Sequence, residues 1–151
     1  MRWLHCATHI TQQTKEKLIA VFGAAGDRDA TKRPLMGIAA MQYADVLIVT
    51  DDDPYSEDPE AIRAQIIEGI EQTPAYAQLS EEERSARIKN IGLREDAIKY
   101  AIQEAHQGDT VLLAGRGHET IQEIAGVRHV LDDRVEARAV LAHIRQTSGN
   151  M

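Results

Sequence analysis

The chain has little of what would mark a secreted, membrane-bound or nucleic-acid-binding protein. Cys6 is the single cysteine in 151 residues, so no intrachain disulfide can form and a reducing compartment is expected. No apolar run approaches the length of a membrane span, and residues 1–12 lack the continuous apolar core of a signal peptide. These absences predict a cytoplasmic protein that does not contact a membrane.

Basic charge and aromatic residues are also scarce. The formal net charge is −7, whereas a nucleic-acid binder would carry a basic stripe, so no nucleic-acid partner is expected. Only one Trp and one Phe occur, so aliphatic side chains must fill the interior. A hydrophobic share of 43% is sufficient for one domain with a real core.

Short apolar runs alternate with helical periodicity, which predicts an α/β fold with a mainly parallel sheet. Residues 72–90 are predicted to form a mobile connection that contains some helix. In the last helix, we expect Val135, Ala139 and Ile144 to face the interior. The predicted strands are 18–23, 45–50 and 110–114, the helices are 34–43, 60–71, 94–106 and 134–146, and a hairpin joins 120–124 to 127–131.

Polar loops follow three of the predicted strands, at 24–33, 51–58 and 115–119. Ligands of open parallel sheets bind beyond the carboxyl ends of the strands. We therefore expect all three loops to face one crevice, and their convergence is stronger support for a site than any single loop.

The first loop favours a negatively charged group. Gly23 and Gly26 precede a helix, whose N-terminal N–H groups and dipole attract anions, and Arg28, Lys32 and Arg33 add positive charge. Arg28 is the best candidate for a carboxylate, because a planar guanidinium can bind both oxygens. The alternative is a solvated turn in which Arg28 pairs with Asp27 or Asp29.

The third loop contains Glu119, whose carboxylate could bind an ammonium group. Arg28 and Glu119 together would then hold the two ends of an amino-acid zwitterion, unless Glu119 merely caps the next element. His118 could act as a base or a ligand, although a lone histidine between Gly117 and Glu119 more often bonds to the backbone.

The second loop contains Asp51, Asp52 and Asp53 with no cation nearby in the sequence. Such a run forms either a solvated turn or a pocket for a cationic side chain. The spacing of an EF-hand is absent, so no metal is expected. Further along, Asp132-Asp133-Arg134 is interpreted as a helix cap with a local ion pair.

The segment Gly-Asp-Arg-Asp-Ala-Thr-Lys-Arg-Pro-Leu-Met-Gly at 26–37 resembles the C-terminal domain of the Mur ligases. The likeness continues through 44–59 and 113–120 and to the Asp-Arg before the last helix. It is strongest for the branch that adds the third residue of the peptidoglycan stem peptide. It covers about residues 15–146, with 1–14 interpreted as a remnant of an inter-domain linker helix and 147–151 as a flexible tail.

The resemblance implies a Rossmann-like three-layer domain of an ATP-dependent amide-bond ligase. In that family ATP phosphorylates the carboxylate of a UDP-MurNAc-dipeptide, and the amine of the incoming amino acid attacks the acyl phosphate. ATP, Mg²⁺ and the UDP-linked substrate would belong to other domains of the full-length enzyme, since no Gly-x-x-Gly-Lys-[Ser/Thr] loop occurs here. This domain would bind the incoming amino acid, hold no cofactor tightly and be inactive alone, with no catalytic residue of its own.

By the same resemblance, Arg28 would bind the amino acid's carboxylate, and Gly115 and Glu119 its other polar groups. The diaminopimelate-adding branch has Asp-Asn-Pro-Arg in the second loop, where this chain has Asp52, Asp53, Pro54 and Tyr55. Tyr55 thus replaces the arginine expected to meet a second carboxylate. Opposite charges a few Å apart gain about 1–4 kcal/mol, so Asp52 and Asp53 favour a lysine-like diamino acid over diaminopimelate.

Two other functions are considered. The chain could be a non-catalytic, stand-alone amino-acid-binding or regulatory module that kept the fold. A nucleotide-binding Rossmann domain acting alone is less favoured, because the first loop lacks the full G-x-G-x-x-G pattern and Asp27 and Asp29 would repel a pyrophosphate.

Overall fold

The computed structural model describes residues 16–148, so Cys6 and the linker helix expected at 1–14 lie outside the described residues. The strands are Leu18–Phe22 (β1), Val46–Val49 (β2), Ile88–Asn90 (β3), Thr110–Leu113 (β4), Ile121–Ile124 (β5) and Val127–Val130 (β6). The helices are Lys32–Tyr43 (α1), Pro59–Glu71 (α2), Pro74–Ala77 (α3), Glu81–Arg87 (α4), Arg94–Glu104 (α5) and Asp133–Ser148 (α6).

A parallel sheet with strand order β3-β2-β1-β4 forms the centre of the molecule. Ile19 on β1 is in register with Val46 on β2 and with Val111 on β4. The apolar runs of β1 and β2 are almost entirely buried between helices, as near-continuous hydrophobic strands of parallel sheets usually are, whereas β4 is half-buried. The predicted parallel sheet is confirmed, and so is the antiparallel hairpin of β5 and β6 before the final helix.

The side chains of β1 alternate between two cores, one on each face of the sheet. Phe22 and its alternate neighbours pack with α1 and α2, where Ile66 and Ile70 are fully buried. Ile19 and Val21 pack on the other face against Ala97 and Ala101 of α5. Helices on both faces of the sheet produce the predicted three-layer arrangement.

The connection predicted to be mobile at 72–90 is regular along most of its length. Ser80 and Glu83 form a reciprocal capping box that begins α4. Ile88 then pairs with Leu47, which makes β3 the outer strand of the sheet. The sequence Ile-Lys-Asn is too short and polar to predict a strand, so only pairing with β2 decides its conformation.

The final helix packs against α5 but differs in detail from the prediction. Val135 is 55% exposed and Ala139 is also exposed, so the expectation that they face inward was wrong. The helix continues through Ser148, two residues into the predicted tail, and the Thr147 hydroxyl donates to the Ile144 carbonyl. Within residues 16–148, no helix is long and apolar enough to cross a membrane.

Candidate functional site

The three polar loops meet at the carboxyl edge of the sheet, as predicted. β1, β2 and β4 are parallel neighbours, so the loops that follow them emerge side by side. The Gly26 N–H donates to the Asp53 carbonyl at 2.7 Å, which joins the first loop to the second. The third loop lies against the second, since a Cβ on Gly115 would stand 3.1 Å from the Asp52 Oδ2 atom.

A pocket of about 520 Å³ opens between these loops. Its floor is apolar, with Phe22, Met36 and Ala114 among the lining residues. Its polar rim consists of residues from all three loops, namely Arg28, Asp29, Lys32, Arg33, Asp52 and Gly115. The structure thus brings together five of the candidate residues, whereas Asp53, Tyr55, His118 and Glu119 are not part of this lining.

Arg28 is exposed on the rim and forms no hydrogen bond or ion pair with any other residue in the range 16–148. The two acids that flank it are engaged elsewhere. The Asp27 carboxylate accepts from the Ser56 hydroxyl at 2.7 Å, and Asp29 accepts from the Thr31 hydroxyl at 2.5 Å. The alternative in which Arg28 pairs with Asp27 or Asp29 is therefore not found, and the guanidinium is available to a ligand.

Arg33 fastens the first two loops to each other. Its side chain is only 2% exposed and donates to both Glu57 oxygens, each at 2.8 Å. The hydrogen bonds from Arg33 lower the pKa of Glu57 to about 2. Lys32, by contrast, lies exposed on the rim, 4.0 Å from Asp29. Lys32 and Arg33 were both considered as supporting residues, but only the ammonium group of Lys32 is exposed to a ligand.

The acids of the second loop have arginine partners outside the loop, 12 residues away for Asp51 and 64 and 63 residues away for Asp52 and Asp53. Asp51 pairs with Arg63, and Asp52 and Asp53 both pair with Arg116. Burial raises the pKa of Asp52, against the opposing charges of Arg94 and Arg116. The run has no cation beside it in the sequence, and tertiary contacts with Arg63 and Arg116 supply the positive charge that the neighbouring sequence lacks.

Asp52, Asp53 and Glu119 form a carboxylate cluster beside the pocket, with one oxygen of each residue within 4.8 Å of the others. The Nη1 atom of Arg116 lies 3.4 Å from Asp52, 3.1 Å from Asp53 and 4.0 Å from Glu119. Three carboxylates facing one guanidinium leave the cluster negative, so an additional cationic group is favoured there. Asp52 belongs to both the cluster and the pocket lining, which connects Glu119 to the Arg28 rim.

Tyr55 and His118 are placed differently from what the sequence suggested. Tyr55 has a φ of 49°, and its backbone bonds to the hairpin through the Glu123 carbonyl and the Ala125 N–H. His118 is exposed and forms no hydrogen bond with the rest of the described chain, so the expected backbone bond is not found. Neither residue faces the 520 Å³ pocket.

A buried ion pair beneath the pocket was missed by the sequence reasoning. Asp132 pairs with Arg134 as expected, and the bond from Arg134 lowers the pKa of Asp132 to about 2. Asp133, which was interpreted as part of the same cap, is instead buried and binds Arg94 through both oxygens at 2.8 and 2.7 Å. Arg94 also donates to the Ala114 carbonyl in the pocket floor.

Comparison with known proteins supplies independent information. The family model described as "Mur ligase, glutamate ligase domain" matches residues 4–117. The UDP-N-acetylmuramoyl-L-alanyl-D-glutamate--2,6-diaminopimelate ligase of Corynebacterium glutamicum is 46% identical over 129 residues, which are 85% of this chain and 24% of that protein. The ligase of the same name from Clostridioides difficile is 42% identical over 133 residues, or 87% and 25% of the two chains.

A solved structure with the same ligase name matches with a TM-score of 0.79 at 39% identity. The match covers 94% of this chain and 27% of that one. The chain thus spans about a quarter of the length of the relatives it matches.

Proposed function

Because this chain belongs to the Mur ligase, glutamate ligase domain family, we propose that it is the part of an ATP-dependent peptidoglycan-precursor ligase that binds the incoming amino acid. The observation that carries the proposal is the pairing of opposite features across one pocket. Arg28 is a cation without a partner in the described chain, and the Asp52–Asp53–Glu119 cluster is an acidic group with insufficient counter-charge.

Arg28 binds the carboxylate of the amino acid in this proposal. Its guanidinium can donate two parallel hydrogen bonds to one carboxylate, an arrangement stronger than a bond between neutral groups. Lys32 adds a second positive charge at the same rim. The nearby acids do not compete, because Asp27 and Asp29 accept hydrogen bonds from Ser56 and Thr31.

The carboxylate cluster binds the ammonium end. Asp52 reaches the pocket, while Glu119 stands at its outer side with 46% of its side chain exposed. Such carboxylates would orient the amine and stabilise its charged form. After losing a proton to solvent, the amine would attack the acyl phosphate, and the acyl C–O bond would break with release of phosphate. Precise placement of the two reactants is the main contribution that a binding domain of this kind makes to the rate.

ATP supplies the phosphoryl group that activates the acceptor carboxylate, and Mg²⁺ accompanies it in the full-length enzyme. The pocket of this chain does not fit a triphosphate, because Asp29 and Asp52 line it beside Arg28 and Lys32. We therefore assign to this chain only the binding and orientation of the amino acid, and we expect the chain alone to form no amide bond.

The amino acid is proposed to be a diamino acid, with lysine preferred because position 55, which lies outside the pocket lining, carries a tyrosine and offers no guanidinium for a second carboxylate. The negative charges of Asp52 and Asp53 favour lysine less than the sequence indicated, because Arg116 neutralises part of them. Diaminopimelate is the second candidate, because it appears in the names of the relatives. Competition binding of lysine and diaminopimelate to the wild-type chain and to the Tyr55→Arg variant distinguishes the two candidates. Lysine binding should be tighter in the wild type, and the arginine should shift the preference toward diaminopimelate.

Calorimetric titration of the chain with lysine and diaminopimelate tests the proposal directly. Arg28→Ala should abolish measurable binding, Arg28→Lys should retain a part of it, and Arg138→Ala, an exposed arginine on α6, should have no effect. Equal affinities of wild type and Arg28→Ala would contradict the assignment.

A chimera tests the ligase assignment. In it this chain replaces the matching quarter of the Corynebacterium glutamicum ligase, and the rate of amide formation is measured. Arg28→Ala in the chimera should raise the KM for the amino acid and leave the KM for ATP nearly unchanged. An equal loss for both substrates would mean that Arg28 binds phosphate. Amino-acid binding by the chain combined with an inactive chimera would favour a stand-alone binding module instead.

A further inference from the structure

We propose that Arg116 is a positioning residue that holds the Asp52 carboxylate toward the ammonium of the bound amino acid. The inference rests on the proposed function, because it assigns Asp52 to the ammonium end of the substrate. Arg116 itself is absent from the pocket lining, so it acts through Asp52 and does not touch the ligand.

The Arg116 guanidinium bonds to the second loop on one side and to the hairpin on the other. Its side chain has no exposed surface, and Nη1 donates to Asp52 and Asp53. Nη2 donates to the Ile121 carbonyl at 2.6 Å and approaches the Leu131 carbonyl at 3.4 Å. The hairpin thereby anchors the cation that fixes the two acids.

Asp52 needs such an anchor because it is crowded by a like charge. Asp53 lies beside it, and burial already raises the pKa of Asp52. Arg94 and Arg116 both oppose that effect of burial. Without the Arg116 charge and hydrogen bond, the Asp52 carboxylate would take up a proton more readily or turn away from Asp53, and either change removes an acceptor for the ammonium. The absence of a side chain on Gly115 leaves the space that Asp52 occupies.

A lysine at position 116 could not replace all of these contacts. The planar guanidinium presents two nitrogens whose N–H groups point in different directions within its plane, one toward the carboxylates and one toward the carbonyls. An ammonium has three donors at a single point. Arg116→Lys keeps the charge and loses the connection to the hairpin, so it separates the electrostatic contribution from the geometric one.

The test compares Arg116→Met with Arg63→Met, which breaks a neighbouring ion pair in the same loop, between Arg63 and Asp51. Both variants should unfold at a lower temperature than the wild type. Only Arg116→Met should lose amino-acid affinity, by about tenfold or more, because a hydrogen bond to a charged group contributes about 1.5–3 kcal/mol. Arg116→Lys should fall between the wild type and Arg116→Met.

The pH profile provides a readout that a purely structural role would not change. In Arg116→Met the carboxyl group of Asp52 is expected to titrate at higher pH than in the wild type, so affinity should rise as the pH increases through that titration, whereas the affinity of Arg63→Met should follow the wild-type profile. Carbon-13 NMR titration of Asp52 in the free chain should show a higher pKa in Arg116→Met than in Arg63→Met.

Equal affinity losses in Arg116→Met and Arg63→Met, with pH profiles that follow the wild type, would overturn the positioning role. An unchanged titration of Asp52 would overturn it even if no amino acid bound. Failure of the wild-type chain to bind any diamino acid, with the Asp52 titration shifted as expected, would refute the proposed function and leave the contact between Arg116 and Asp52 supported.

Discussion

Replacing Asp133 by leucine would leave the Arg94 guanidinium buried without its counter-charge. Arg94 has no exposed side-chain surface, and Asp133 is only 5% exposed. The two residues share two hydrogen bonds, from Nε to Oδ1 at 2.8 Å and from Nη2 to Oδ2 at 2.7 Å. Water cannot take over these bonds unless the contact between α5 and α6 opens.

The magnitude follows from that burial. Removing one partner of a buried ion pair costs about 3–5 kcal/mol, because the remaining charge stays desolvated. For a domain of this size, each kcal/mol lowers Tm by about 2–4 °C, so Asp133→Leu should lower Tm by roughly 6–20 °C. The loss comes from the unpaired Arg94, and not from leucine, which suits a buried position.

Thermal and urea unfolding followed by circular dichroism measure this loss. Arg134→Ala is a matched control, since it breaks the neighbouring pair with Asp132, where the Arg134 side chain is 51% exposed. The control should change stability far less, because exposed pairs are screened by solvent. The double variant Arg94→Met with Asp133→Leu should recover most of the loss, since no buried charge remains.

The reasoning would be refuted by a loss from Asp133→Leu below about 1 kcal/mol, the level of an exposed pair. A double variant no more stable than the single one would also refute it, because the cost would then come from packing and not from an uncompensated charge.

Two further predictions concern the contacts that join the first and second loops. Gly26→Ala would place a Cβ 1.9 Å from the Pro54 carbonyl oxygen, so the loops must separate, and calorimetry should show a large loss of amino-acid affinity; unchanged affinity would contradict the role of this contact. Arg33 lowers the pKa of Glu57 from 4.5 to about 2, so this pair stabilises the fold fully above pH 4.5 and progressively less as the pH falls toward 2. The difference in unfolding free energy between wild type and Glu57→Gln should therefore be largest at neutral pH and shrink through that window; a constant difference would mean that Glu57 acts only by packing.

The fold could be predicted largely because its signals are local. β1, β2 and β4 are short apolar runs that contain β-branched residues, and the helical spacing of isoleucines in α2 is evident in the sequence. The strand β3 could not be predicted, since its conformation depends on β2, more than 40 residues earlier in the chain. The exposed face of α6 was also missed, because periodicity identifies an apolar face without saying whether another element covers it.

The candidate site was predictable in its location and in part of its composition. Loops after parallel strands meet at one edge for topological reasons; Arg28 and Asp52 were identified from that rule and their chemistry, and Gly115 from the family resemblance. Arg116 was not identified as a partner of the acids, because it lies more than 60 residues from them. The sequence also does not distinguish a buried arginine at this position from one that is exposed on the surface.

The amino-acid sequence alone determined the order of the strands and helices outside 72–90, the position of the three polar loops and the family. These properties depend on local periodicity and on the spacing of motif residues along the chain. Only the tertiary structure decided which charges that lie far apart in the sequence are paired. Arg33, Arg94 and Arg116 become buried with distant carboxylates, while Arg28 stays without a partner in the described chain. The physical reason is that an ion pair depends on distance and burial in three dimensions, and neither can be derived from separation along the chain.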